Sequence, residues 1–128
     1  MFTYEVSEDY SKISELYKEW TNRQSKELWV KNGSDFIVAK DNNKIVAVLE
    51  LSKIADFVHD RKWGLIENVY VNKDYRRNGI GTGLMRYAEV FAKELGCEFI
   101  KLTSRKKEGQ SLYQSLGYET GMSFYKKL

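Results

Sequence analysis

Apolar and polar positions alternate from Phe2 to Val6, which predicts a first strand. Ser7 then stands where a hydroxyl can cap a helix whose first turn carries Glu8 and Asp9, with Ile13, Leu16, Tyr17 and Trp20 on one face. Residues 21–32, with Leu28, Trp29 and Val30, read as a short second helix. Two apolar runs, 36–39 and 45–51, flank the polar Asp41-Asn42-Asn43-Lys44, the pattern of a β-hairpin. Residues 55–62 are mixed and assign no element, and 65–71 form the next strand. From Ile80 the spacing becomes helical, with Leu84, Ala88, Phe91 and Leu95 on one stripe and Gly96 as its stop. Residues 97–103 alternate as a strand, 110–116 form a short helix ending at Gly117, and 118–128 supply one or two closing strands. The order is β-α-α-β-β-β-α-β-α-β, an α/β domain with a mixed sheet flanked by helices.

With 128 residues and 42% hydrophobic content, one globular domain spanning 1–128 is expected. No apolar run reaches the roughly 20 residues that span a bilayer, and the first residues lack the basic and apolar regions of a leader. Cys97 is the sole cysteine, so no internal disulfide forms, and a cytoplasmic setting is the expectation. It reads better as a small apolar residue at a strand start than as a nucleophile. A net charge of +3 is too small to argue for a nucleic-acid partner, and no nucleic-acid-binding motif is present. His59, between Asp56 and Asp60, assigns no metal.

The chemistry concentrates in residues 67–84. A strand ends at Val69-Tyr70-Val71, two arginines follow, and Gly79, Gly81 and Gly83 open a helix. At a helix start the first N–H groups lack partners and the positive end of the dipole faces out, which favours an anion such as phosphate. Gly79 and Gly81 leave those donors unshielded. A dinucleotide fingerprint fails because position 84 is leucine, and a phosphate loop fails because no Gly-Lys-Ser/Thr closes the turn.

What remains, Arg76-x-x-Gly79-x-Gly81 behind a strand, resembles the coenzyme A signature of the GNAT family of N-acetyltransferases. Downstream, Ser111-Leu112-Tyr113-Gln114-Ser115-Leu116-Gly117-Tyr118 is similar to the tyrosine helix of that family. The resemblance implies a mostly antiparallel sheet and transfer of an acetyl group from acetyl-CoA to a primary amine, expected to belong to a small molecule. Protein N-terminal acetylation and a non-catalytic CoA-binding module are the alternatives. It further implies that the backbone of Val69, Tyr70 and Val71 pairs with the pantetheine arm. The amides around Arg77, Asn78, Gly79, Ile80, Gly81 and Thr82 would hold the pyrophosphate, with Arg76 and Arg77 adding attraction for the anion.

Tyr113 matches the residue that protonates the leaving thiolate; its alternative is a packed aromatic. Glu67 is the expected base, because strand alternation places it on the face of Val69 and Val71. Glu50 or a water relay could serve instead. Arg105, Lys106 and Lys107 either reach the nucleotide phosphates or form a solvated loop. The family often carries Asn-x-x-Ala before the tyrosine, where this chain has Lys106 and Gly109, and a lysine replaces the asparagine's contact only approximately. Acceptor specificity is expected in 10–33 and 52–64, where Trp20, Trp29, Phe57 and Trp63 line a pocket or fill the core. The oligomeric state is open between monomer and homodimer.

Overall fold

The computed structural model describes residues 1–22, 34–104, 107–121, 124 and 126–128, the side chains of 107 and 108 aside. Five strands form one sheet in sequence order: β1 (Phe2–Ser7), β2 (Ser34–Asp41), β3 (Lys44–Asp56), β4 (Arg61–Val71) and β5 (Ile100–Leu102). The first four are antiparallel and β5 joins β4 in parallel. Helix α1 (Tyr10–Thr21) follows β1, α2 (Ile80–Glu94) links β4 to β5, and α3 (Lys107–Ser115) follows β5. The mixed, mostly antiparallel sheet is as expected. The proposed second helix at 21–32 lies outside the described residues beyond Asn22, whose left-handed conformation closes α1.

Continuous apolar runs form strands that are covered on both sides. Residues 36–39 and 45–49 are accordingly all buried. Ile37, Leu49, Leu51 and Ile66 meet Ile80, Leu84, Met85, Ala88 and Ala92 of α2 on one face. Phe36, Val38, Val48 and Tyr70 meet Ile13 and Leu16 of α1 on the other. Each fully buried isoleucine or leucine stabilises this arrangement by about 1.5–3 kcal/mol. Glu50 and Ser52 interrupt the run on β3, and both are buried on the α1 face.

Several boundaries differ from the pattern's reading. Asp9, not Ser7, caps α1: its side chain accepts from Lys12 N, while Ser7 stays in β1 and accepts from Asp9 N. The mixed residues 55–62 are the end of a second hairpin, where Asp56 Oδ1 accepts from Val58 N and His59 N across the turn. The strand read at 97–103 pairs as a ladder only over Ile100–Leu102. Among the described residues, 118–128 contain no strand. Gly117, at φ 93°, closes α3, and Tyr118 N bonds back to Tyr113 O.

Candidate active site

One irregularity in β4 organises the site. Glu67 pairs with Glu50 and Tyr70 with Val48, so Asn68 and Val69 together oppose Leu49. Asn68, at φ 55°, is the bulge. Because side chains alternate with a period of two, one extra residue exchanges the faces of everything beyond it. Ile66 and, past the bulge, Val69 and Val71 pack toward α2. Glu67 shares the α1 face with Glu50, Phe36 and Tyr70. The expectation that Glu67 lies on the face of Val69 and Val71 is therefore wrong, because the alternation that supported it breaks at Asn68.

The bulge also opens an edge. β5 pairs with β4 only from Gly64 to Ile66, so the stretch Val69–Val71 has no strand beside it on that side among the described residues. Asn72 N bonds to Val46 O on β3, whereas Val71 O points the other way and accepts from Arg76 Nε at 3.0 Å. Arg76 thus runs back along the strand, its guanidinium 5.6 Å from the centre of the Tyr70 ring. Its side chain is engaged at the strand end and does not project from the glycine turn.

Beyond the edge, the chain turns through a short 3-10 segment, Lys73–Tyr75. The buried Asn72 fixes its start: its Oδ1 accepts from Asp74 N, and its Nδ2 donates to Glu19 Oε1 of α1 at 2.6 Å. Arg77 at φ 66° and Gly79 at φ 75° then bend the backbone on either side of Asn78. Gly79 stands at the N-cap with no side-chain bond to the helix. No N-cap side chain covers the first N–H groups of α2, an arrangement that suits an anion.

The three glycines have separate reasons. A Cβ on Gly79 would meet nothing, so glycine serves its left-handed backbone there. A Cβ on Gly81 would lie 3.3 Å from Leu112 of α3, and one on Gly83 would collide with the Tyr4 ring. Gly81 is bare because α3 packs on the first turn of α2, a role in packing that adds to the expected access for a ligand.

That packing brings α3 to the anion turn, and Tyr113 follows Leu112. Tyr113 is half-buried, edge-on to Tyr118 at 6.2 Å, and burial holds its phenol pKa above the ordinary value. Tyr118 Oη donates to Glu89 Oε2 at 2.7 Å; burial first, and then that bond, push its pKa up as well. At Gly109, where the family pattern has alanine, a Cβ would lie 2.6 Å from Ser104 Oγ and 3.4 Å from Tyr113 Cε2.

Other candidates fall elsewhere. Trp20 stacks on Tyr70, centroids 5.5 Å apart and planes within 6°, and remains 40% exposed at the end of α1. Trp63 stacks on Phe99 at 5.9 Å, and Phe57 is 98% exposed, so it does not fill the core; it borders an open cavity with Asp56, Arg61 and Glu98 at the hairpin end. Trp29, Arg105 and Lys106 lie outside the described residues. His59 bonds to Asp56, and among the described residues no group of three potential metal ligands occurs. Cys97 is half-buried in the loop before β5, and burial raises its thiol pKa. A cavity of about 620 Å³ between Ala92, Lys93, Phe99 and Tyr118 lies toward the other end of α2 from the anion turn, so it is separate from this site. Asn68 and Tyr17 meet at the bulge, a contact that the sequence pattern does not predict. The signal for the bulge was an asparagine inside a β-rich run, a residue poor in strands and tolerant of left-handed backbone.

The class the fold defines is an α/β domain whose unpaired strand edge runs into a glycine turn at a helix start. The family model described as "Acetyltransferase (GNAT) family" matches residues 2–118, and the chain belongs to that family. It is 31% identical over 83 residues to an aminoglycoside N(6')-acetyltransferase type 1 of Acinetobacter baumannii, covering 61% of this chain and 57% of that protein. It is 33% identical over 95 residues to N-acetyltransferase family 8 member 3 of Rattus norvegicus, covering 72% of this chain and 42% of that protein. The chain thus spans about half the length of these relatives. Its fold matches a ribosomal-protein-alanine N-acetyltransferase of Brucella melitensis biovar Abortus 2308 with a TM-score of 0.86 at 16% identity, over 100% of this chain and 99% of that one. No helix among the described residues is long and apolar enough to cross a membrane.

Proposed function

We propose that this chain moves an acetyl group from acetyl-CoA to a primary amine of a small molecule by direct attack. The observation that carries the reading is the continuity of the open β4 edge at Val69–Val71 with the unshielded amides at the start of α2. An amide-bearing pantetheine arm is complementary to the first, and a pyrophosphate to the second. Family membership supports the same cofactor. The residues present fit it: a strand edge offers both donors and acceptors, and a turn made of left-handed residues aims N–H groups outward.

In this reading the thioester carbonyl lies near the bulge, between the two faces of the sheet. The neutral amine attacks it and forms the C–N bond. As the tetrahedral intermediate collapses, the C–S bond breaks and the sulfur leaves with the electron pair. Tyr113 is the hydrogen-bond donor and general acid for that sulfur. A thiol titrates near ~8.5 and an unperturbed phenol near ~10, and burial raises Tyr113 further, so full proton transfer to the sulfur is uphill. Its hydroxyl therefore acts mainly by hydrogen-bonding the developing thiolate, with proton transfer completing after the bond has broken. The proton released by the new ammonium goes to the α1 face, where Glu67 stands as the base. The stacked Trp20 and Tyr70 rings border that face and support it as the acceptor's side.

The named relative from Acinetobacter baumannii favours aminoglycosides as first acceptors to try. The test is a screen of aminoglycosides, polyamines, amino acids and N-terminal peptides with acetyl-CoA, following release of free thiol. Turnover with a small amine is expected. Turnover confined to peptides would replace the small-molecule reading with protein N-terminal acetylation, and CoA binding with no turnover on any amine would leave a binding module.

A further inference from the structure

The bulge is held by side chains to which the reaction above gives no role. Tyr17 Oη of α1 donates to the Asn68 carbonyl at 2.7 Å. Asn68 Nδ2 donates to Glu50 Oε1 at 3.3 Å, and Ser34 Oγ donates to Glu50 Oε2 at 2.6 Å. Glu50 is only 6% exposed, and both of its oxygens are engaged as acceptors. Asn68 is therefore tied to a helix through its backbone and to the neighbouring strand through its amide. Asparagine is the fitting residue, since it accepts a φ of 55° and supplies the donor that glycine lacks.

We propose that Glu50 and Tyr17 are positioning residues that lock Asn68 in the bulge and so hold the open Val69–Val71 edge in register for the arm of acetyl-CoA. The proposal rests on the acetyl-CoA reading and gives Glu50 a role distinct from that of a base. The lock matters because the bulge alone decides which face and which edge each later residue presents. If it relaxed, Tyr70 would exchange faces with Val69 and Val71, and the groups that meet the cofactor would turn away.

Substitutions at Glu50 separate a lock from a base. Glutamine keeps both contacts: its amide oxygen accepts from Asn68, and its NH2 donates to Ser34, whose hydroxyl is able to accept. Alanine keeps neither. The experiment measures acetyl-CoA binding by calorimetry and steady-state kinetics on the full chain, at a temperature where thermal unfolding shows each variant folded. Glu50→Gln is expected to match wild type in both Kd and kcat. Glu50→Ala and Tyr17→Phe are each expected to weaken acetyl-CoA binding by about tenfold. Tyr10→Phe, on the same helix but edge-on to Phe36, is expected to leave binding unchanged.

Glu50→Gln that binds normally but loses kcat makes Glu50 a base and overturns the proposal. Unchanged affinity in Tyr17→Phe and in Glu50→Ala overturns it equally. If Glu50→Ala fails to fold, Tyr17→Phe and Glu50→Gln decide between these outcomes. Wild type that binds no acetyl-CoA refutes the cofactor reading itself, a failure visible before any variant is compared.

Discussion

Replacing Gly83 by alanine should destabilise the protein although alanine is the better helix former. Gly83 lies in the first turns of α2, where the substitution alone would gain up to about 1 kcal/mol. The added Cβ, however, falls inside van der Waals contact of Tyr4 Oη and Cζ, and lies 3.0 Å from Cε1. Tyr4 stands on β1, paired with Ala39, and packs against the α2-side core, so its ring moves only by disturbing that packing. Overpacking of this kind costs about 1–3 kcal/mol, which leaves a net loss of up to about 2 kcal/mol. For a domain of this size that is a fall of up to about 8 °C in Tm. Thermal unfolding by circular dichroism reads it, and a double-mutant cycle with Tyr4→Leu assigns the cause: the cost of Gly83→Ala should largely vanish once the ring is gone. A Gly83→Ala protein as stable as wild type, with Tyr4 in place, would refute the steric argument.

Other outcomes follow from the same geometry. Tyr113→Phe should lower kcat by about 100-fold or more, with little change in acetyl-CoA affinity, as steady-state kinetics and calorimetry will show. Gly79→Ala forces a side chain into φ 75°, at a cost of about 1–2 kcal/mol, and should weaken CoA binding in calorimetry more than it lowers Tm. Alkaline pH should destabilise the fold: burial, with a further contribution from Glu50, raises the Tyr17 pKa above its ordinary value. The folded state then keeps a proton that the unfolded state releases. The corresponding stability is complete below about pH 10 and falls as pH rises beyond it. Urea unfolding between neutral and strongly alkaline pH should show that decline, and Tyr17→Phe should make it shallower, with the raised Tyr113 and Tyr118 retaining part of it.

Much of this architecture is legible in the order of residues. Two apolar runs, the second interrupted at Glu50, declare β2 and β3 as strands covered on both faces, and the change of period at Ile80 places α2 within a residue. The glycine turn and the tyrosine helix give the family. The error over Glu67 shows where such reading stops. Alternation carries no memory of an inserted residue, so a single bulge at Asn68 inverts every assignment beyond it while the composition of the strand stays the same. The end of the second hairpin was obscure for a related reason. Its residues are largely exposed, so neither face imposes a pattern, and Gly64 sits in β4 because a Cβ there would approach Leu51 Cδ1 to 2.9 Å. Ser7 and Asp9 are both plausible caps by type, and only the strand pairing of Ser7 decides between them.

The bond from Arg76 to the Val71 carbonyl has a consequence for life outside the active site. An open strand edge is a template on which any extended peptide can add itself, and folded proteins commonly guard such edges with charge. Here the guard is a guanidinium already seated on an edge acceptor and braced against the Tyr70 ring. A stray strand must displace a cation before it can pair. Arg76 thus discourages polymerisation through an edge that has no strand beside it among the described residues.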